Sequence, residues 1–147
     1  MWGLYQLRSA FQPIFTFANG RLTPYAFEGL IRPTRDGEQL SPPAFFSTFT
    51  ALERYHVETL TRNLHLLNAA QCLNENCSLF VNFDPGVFVE PSLADSALRD
   101  MRLVLHEAQI DPQRIVCEVT ENQVASDETF VGLVKALREH GFRIAVD

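Results

Sequence analysis

The sequence predicts an α/β fold built as part of a (β/α) barrel, with an antiparallel first strand and an end after the fifth strand. Three observations lead there. Short apolar runs with strand character alternate with stretches of helical spacing, the pattern of a parallel sheet with helical crossovers. Asn19-Gly20 lies between the first two apolar runs, and this dipeptide is a strong two-residue hairpin signal. The chain has 147 residues and stops on a strand, whereas a full barrel needs roughly 200 residues or more. An open, doubly wound sheet is the other architecture the pattern allows.

The elements follow in order. "AFQPIFTF" (10–17) reads as a strand, and "TPYAFEGLIRP" (23–33) runs back beside it after the Asn19-Gly20 turn. "TRDGEQLSPP" reads as a loop closing on Ser41, a good N-cap, with Pro42 at the first helical position. The spacing predicts one helix from there to about Arg54 and a second carrying Leu60, Leu64 and Leu67 on one stripe. "SLFVNFDP" (78–85) is a strand stopped by Pro85. "PSLADSALRDMRLVLHEAQI" is an amphipathic helix with Leu98, Met101, Leu105 and Ala108 aligned. "RIVCEVTEN" is a strand. "SDETFVGLVKALREHG" is a helix capped by Ser126, faced by Phe130, Leu133, Val134 and Leu137, and stopped at Gly141. "FRIAVD" is the last strand.

Composition narrows the function classes. The hydrophobic fraction is 46% and the charged fraction 20%, the balance of an ordinary globular domain. A formal net charge of -6 disfavours a nucleic-acid polymer or an anionic membrane as partner. It leaves room for one small anionic ligand held locally. Cys72, Cys77 and Cys117 are odd in number and lack close pairing, which suggests reduced thiols and a cytoplasmic setting. No run approaches the roughly 18 apolar residues of a membrane span, and "MWGLYQLRSAF" lacks the order of a signal peptide.

The chemistry is carried by the strands. Side chains alternate across a strand, so Ala26, Glu28, Leu30 and Arg32 share one face, and Tyr25, Phe27, Gly29 and Ile31 the other. Asn82, Glu118 and Asp147 each sit late in a later strand among apolar neighbours. In a parallel barrel those strand ends meet at one rim, where active sites lie. Three carboxylates and an amide oxygen converging there would repel one another without a cation. An all-oxygen set with no cysteine or patterned histidine suits Mg²⁺, Mn²⁺ or Ca²⁺. The competing reading makes each polar residue a simple strand end that caps a helix or meets solvent. His56, His65, His106 and His140 show no ligand spacing and read as structural. Cys117 reads as a small buried hydrophobe, and "PAFFSTF" as core.

"FQPIF", "EGLIR", "VNFDP", "CEVTEN" and "GFRIAVD" occur in that order. Together they resemble the motifs of the EAL-domain family, the cyclic-di-GMP phosphodiesterases. The resemblance runs from about Phe11 to Asp147. It implies a TIM-like barrel with an antiparallel first strand, in keeping with the hairpin read independently. It also implies hydrolysis of cyclic-di-GMP to linear pGpG with two Mg²⁺ or Mn²⁺ ions. By resemblance, Glu28, Asn82, Glu118 and Asp147 are metal ligands. Arg32 contacts a substrate phosphate, Gln12 and Leu30 line the substrate site, and Glu121 supports a neighbouring loop.

The chain departs from the family pattern in places. Gly29 stands for the usual alanine, with little consequence expected for the metal. Asp84 stands where serine is common, an extra carboxylate expected either to tighten metal binding or to repel substrate. The family's second Asp of the Asp-Asp pair, its later lysine and its general-base glutamate lie beyond Asp147. The chain therefore reads as the N-terminal part of the domain (1–147), inactive alone, in a parent with an upstream sensory or signalling region. Its open barrel edges suggest a homo-oligomer. The alternative is a non-catalytic cyclic-di-GMP-binding or protein-interaction module.

Overall fold

A computed structural model describes residues 3–120 and 126–146. Within them the sheet places β1 (Tyr5–Ala18), β2 (Arg21–Arg35), β4 (Ser78–Phe83), β5 (Ile115–Val119) and β6 (Arg143–Val146) side by side in that order, with short β3 (Glu38–Gln39) paired to β2. The sheet is mostly parallel and does not close. The expected β-β-α-α-β-α-β-α-β order is present, with one small strand added.

The opening hairpin is long. β1 (Tyr5–Ala18) and β2 (Arg21–Arg35) pair antiparallel. Asn19 and Gly20 turn between them at φ 53° and 74°, the left-handed pair that a two-residue hairpin turn demands. The segment read as a loop contains a second turn of the same kind. Asp36 and Gly37 have φ 52° and 81°, and β3 (Glu38–Gln39) pairs back onto Thr34 and Arg35.

The first helical region also departs from expectation. α1 (Pro42–Phe46) is a single short piece capped by Ser41, and α2 (Ala51–Cys72) is a separate helix of 22 residues. The break falls at Ser47–Thr50, where Thr50 caps α2. Its hydroxyl accepts from Glu53 N at 3.3 Å and donates to the Glu53 carboxylate at 3.0 Å, the first of these being the N-cap bond of a capping box. Leu60 and Leu67, read as the inward stripe of this helix, are exposed. The buried face instead carries Tyr55, Glu58, Thr61, Arg62, His65 and Leu66.

Beyond α2 the structure follows the sequence reading. β4 (Ser78–Phe83), α3 (Pro91–Ala108), β5 (Ile115–Val119), α4 (Asp127–Glu139) and β6 (Arg143–Val146) succeed one another, and β2, β4, β5 and β6 are mutually parallel neighbours. The helices cover one face of the sheet. On that face Leu79, Val81, Phe83, Ile115, Cys117 and Val119 are buried against Leu98, Met101, Leu105, Leu133 and Leu137. Each such apolar side chain contributes roughly 1.5–3 kcal/mol by leaving water. Phe45 and Phe49 of the "PAFFSTF" run pack on Tyr5 at ring-centroid distances of 5.0 and 6.1 Å, but only Phe45 is buried and Phe46 and Phe49 are half-buried, so the run read as core is core at one residue. Cys117 is fully buried, and burial pushes its thiol up to about 12. That is an inert sulfur, as read from sequence.

His65 is a buried structural histidine with a measurable consequence. His65 Nδ1 is hydrogen-bonded at 2.7 Å to Ser9 Oγ, which itself accepts from Asn68 Nδ2 at 3.0 Å. Burial, and then the charge of Arg62, lower its pKa from 6.5 to about 4. Between those values the unfolded chain takes up a proton that the folded chain refuses, so stability falls as pH drops through that window and levels off below it. The shift corresponds to about 3 kcal/mol. Urea unfolding at pH 7 and pH 4 should show that His65→Gln loses less stability on acidification than the parent chain. Equal losses in the two proteins would contradict the assignment.

Candidate functional site

The face of the sheet turned away from the helices carries the polar residues. In β1 and β2, Gln12 is the cross-strand partner of Glu28, Ala10 of Leu30 and Arg8 of Arg32. In the parallel part, Glu28 pairs with Phe80, Asn82 with Glu118 and Glu118 with Ala145. Asn82 stands two positions after Phe80, so it stays on the face of Glu28 one step nearer the strand's C-terminal end. The side chains meet: Asn82 Nδ2 donates to Glu28 Oε1 at 3.1 Å. Neighbouring strands lie about 4.8 Å apart, so Gln12, Glu28, Asn82 and Glu118 form one row across four strands. Arg32 is half-buried on the same face, beyond Leu30, with Nη1 donating to its neighbour's carbonyl, Ile31 O, at 3.1 Å.

This places Gln12, Glu28, Leu30, Arg32, Asn82 and Glu118 on one face, as the strand alternation required. Asp147 and Glu121 lie outside the described residues. Among the described residues no group of three His, Cys, Asp or Glu side chains is close enough to hold a metal; the set present is two carboxylates and an amide. Such oxygen donors fit a hard divalent cation and not a thiolate-loving one.

Asp84 does not join the row. Its Oδ2 accepts from Arg54 Nη2 at 2.7 Å, and its Oδ1 accepts from Gly86 N at 2.9 Å, capping the 3₁₀ turn Pro85–Val87. The extra carboxylate is thus engaged by a guanidinium and a backbone amide. This favours neither of the two effects expected for it from sequence.

Behind the row lies a charged layer that sequence reading missed. Arg62 is 4% exposed. Its guanidinium sits 4.1 Å from the centre of the Phe83 ring, a cation–π distance. Its Nη1 donates to the carbonyl of Asn82 at 3.5 Å, and its Nη2 to Thr59 Oγ1 at 3.3 Å. Glu58 is 8% exposed and accepts from Arg54 Nε at 3.0 Å. Burial raises the Glu58 pKa against the pull of Arg62 and Arg54, and burial lowers that of Arg62 against the pull of Glu58. A cleft of about 310 Å³ opens beside these groups and reaches Leu30, Asn82 and Thr120. The Glu at 58 and the Arg at 62 are four residues apart, a helical ion-pair spacing. That spacing was the available signal.

The chain matches the EAL domain family model over residues 4–147. A curated relative, the probable cyclic di-GMP phosphodiesterase PdeB of Escherichia coli, is 28% identical over 142 residues, covering 93% of this chain and 26% of that protein. An uncharacterized protein of Synechocystis is 28% identical over 145 residues, with 93% and 20% covered. The chain thus spans about a quarter or less of these relatives. Among solved structures, Klebsiella pneumoniae BlrP1 in its calcium and cyclic-di-GMP complex superimposes with a TM-score of 0.73 at 27% identity, covering 96% of this chain and 34% of that one. BlrP1 with cyclic-di-GMP and no metal ions gives 0.72 at 26% identity, with 95% and 33% covered. No helix among the described residues is long and apolar enough to cross a membrane. A family match across nearly the whole chain, joined to a shared fold, means that this protein belongs to the EAL domain family.

Proposed function

We propose that this chain forms the nucleotide- and metal-binding N-terminal part of a domain that hydrolyses one phosphodiester of cyclic-di-GMP to linear pGpG. The observation that carries the reading is the row Gln12, Glu28, Asn82 and Glu118 across four neighbouring strands, with Asn82 and Glu28 joined at 3.1 Å. The names of PdeB and BlrP1 support it. Glu28, Asn82 and Glu118, with Asp147, hold Mg²⁺ or Mn²⁺. When bound, such ions supply Lewis acidity to the phosphate and to the attacking water. Arg32 offers a planar guanidinium to a phosphate, which it can grip by paired hydrogen bonds. Gln12 and Leu30 line the nucleotide, and Glu121 supports a nearby loop.

One observation favours a second reading, in which the chain binds cyclic-di-GMP without cleaving it. BlrP1 holds the nucleotide in a structure with no metal ions. Incubation of the purified chain with cyclic-di-GMP and Mn²⁺ separates the two. Release of pGpG supports hydrolysis. Nucleotide binding without product supports the binding module, and absence of binding contradicts both.

A further inference from the structure

Gly29 lies between Glu28 and Leu30, and on its covered side it has no side chain to offer. His65 of α2 fills that space. A Cβ built at Gly29 would stand 2.9 Å from His65 Cγ, 3.0 Å from Cδ2 and 3.1 Å from Cβ, well inside the ordinary separation of about 3.5–4.0 Å between carbons. The φ of Gly29 is not among the positive values in the chain, so glycine is required here by space and not by backbone conformation.

The imidazole cannot easily step aside. It is 5% exposed, held at 2.7 Å by Ser9 of β1 and met edge-on by Phe11 with ring centroids 6.4 Å apart. Phe11 is the cross-strand partner of Gly29, and Ser9 that of Ile31. His65 therefore touches β2 through the bare main chain at Gly29 and meets β1 directly opposite that point, at Phe11, and two residues to one side of it, at Ser9. Close-packed interiors transmit such contacts instead of absorbing them. A methyl group at position 29 would move the strand toward the uncovered face and carry Glu28 away from Asn82.

We propose that His65 is a positioning residue: its ring, seated on Gly29, fixes the height of β2 and thereby holds Glu28 in hydrogen-bond reach of Asn82. That Glu28 is a metal ligand is the reading given above; the packing of His65 on Gly29 stands apart from it.

The test compares the 147-residue chain with Gly29→Ala, His65→Ala and the double variant. Two readouts are taken, the NMR resonances of the Asn82 side-chain amide and the Mn²⁺ affinity by calorimetry. Gly29→Ala should shift the Asn82 resonances and weaken Mn²⁺ binding by roughly tenfold or more, the cost of disturbing a ligand's support. The double variant should bring both back toward the parent, because the added methyl then occupies the room the ring left. Its melting temperature should stay below the parent's, since Ser9 loses its imidazole partner. Unchanged readouts in Gly29→Ala, or a double variant equal to the sum of the singles, would overturn the proposal. If the parent takes up no Mn²⁺, the metal reading fails by itself and the Asn82 resonances still decide the positioning claim. If Gly29→Ala does not fold, a folded double variant with parent-like Asn82 resonances supports the proposal, and an unfolded one overturns it.

Discussion

Replacing Arg62 with methionine should destabilise the chain by about 3–5 kcal/mol, the usual cost of depriving a buried charge of a neighbouring opposite charge. Arg62 is 4% exposed, and Glu58, itself buried, has its Oε2 without a hydrogen-bond partner. With the guanidinium gone, Glu58 keeps only Arg54 as its counter-charge, and the carbonyl of Asn82 loses a donor. Methionine retains much of the length and the contact with Phe83, so the loss reports charge more than volume. The double variant Arg62→Met/Glu58→Leu should recover most of the loss, because buried pairs are often replaceable by apolar residues at little cost. Urea midpoints at constant slope measure both. For a chain of this size each kcal/mol is worth roughly 2–4 °C of melting temperature. An Arg62→Met protein as stable as the parent would mean that the pair is solvated.

Glu28→Gln should remove the proposed metal site and leave the fold. The amide is nearly isosteric with the carboxylate, and Glu28 sits half-buried on the uncovered face, so the melting temperature should change little. The Mn²⁺ dissociation constant should rise by more than about a hundredfold, since disturbing only the second layer around a metal already costs about 10–100-fold. Under the proposed function, any turnover of cyclic-di-GMP in an EAL domain that carries this segment should be lost with the metal site. Activity that survives the change would remove Glu28 from the ligand set.

The two variants probe layers of very different legibility. Glu28, Asn82 and Glu118 could be aligned from sequence because a strand has a fixed period of two, and an acidic or amide side chain amid apolar neighbours stands out. The Asn19-Gly20 turn and the apolar faces of α3 and α4 were readable for the same reason: local chemistry and local geometry agree. Asp36-Gly37 and Thr50-x-x-Glu53 carried equally local signals, a hairpin dipeptide and a capping box. Both lie inside segments whose spacing alone reads as loop and as continuous helix. The inner face of α2 is a different case. Leucines at helical spacing suggested a core stripe, yet Leu60 and Leu67 face water while Glu58, Arg62 and His65 are buried. Their burial depends on partners in other elements: Phe83 and the carbonyl of Asn82 for Arg62, and Ser9 and Gly29 for His65. No periodicity in α2 encodes those partners. Likewise the engagement of Asp84 by Arg54 spans 30 residues and has no local signature.

The central claim is that Glu28, Asn82 and Glu118 share one hard divalent ion. Crystals of the chain soaked in Mn²⁺ and measured at the manganese absorption edge test it most directly. The account predicts an anomalous peak on the uncovered face within about 2.0–2.6 Å of oxygens from all three side chains, the span of hard-cation coordination distances. A peak bound elsewhere, or none with Glu28 and Asn82 still joined to each other, would contradict it.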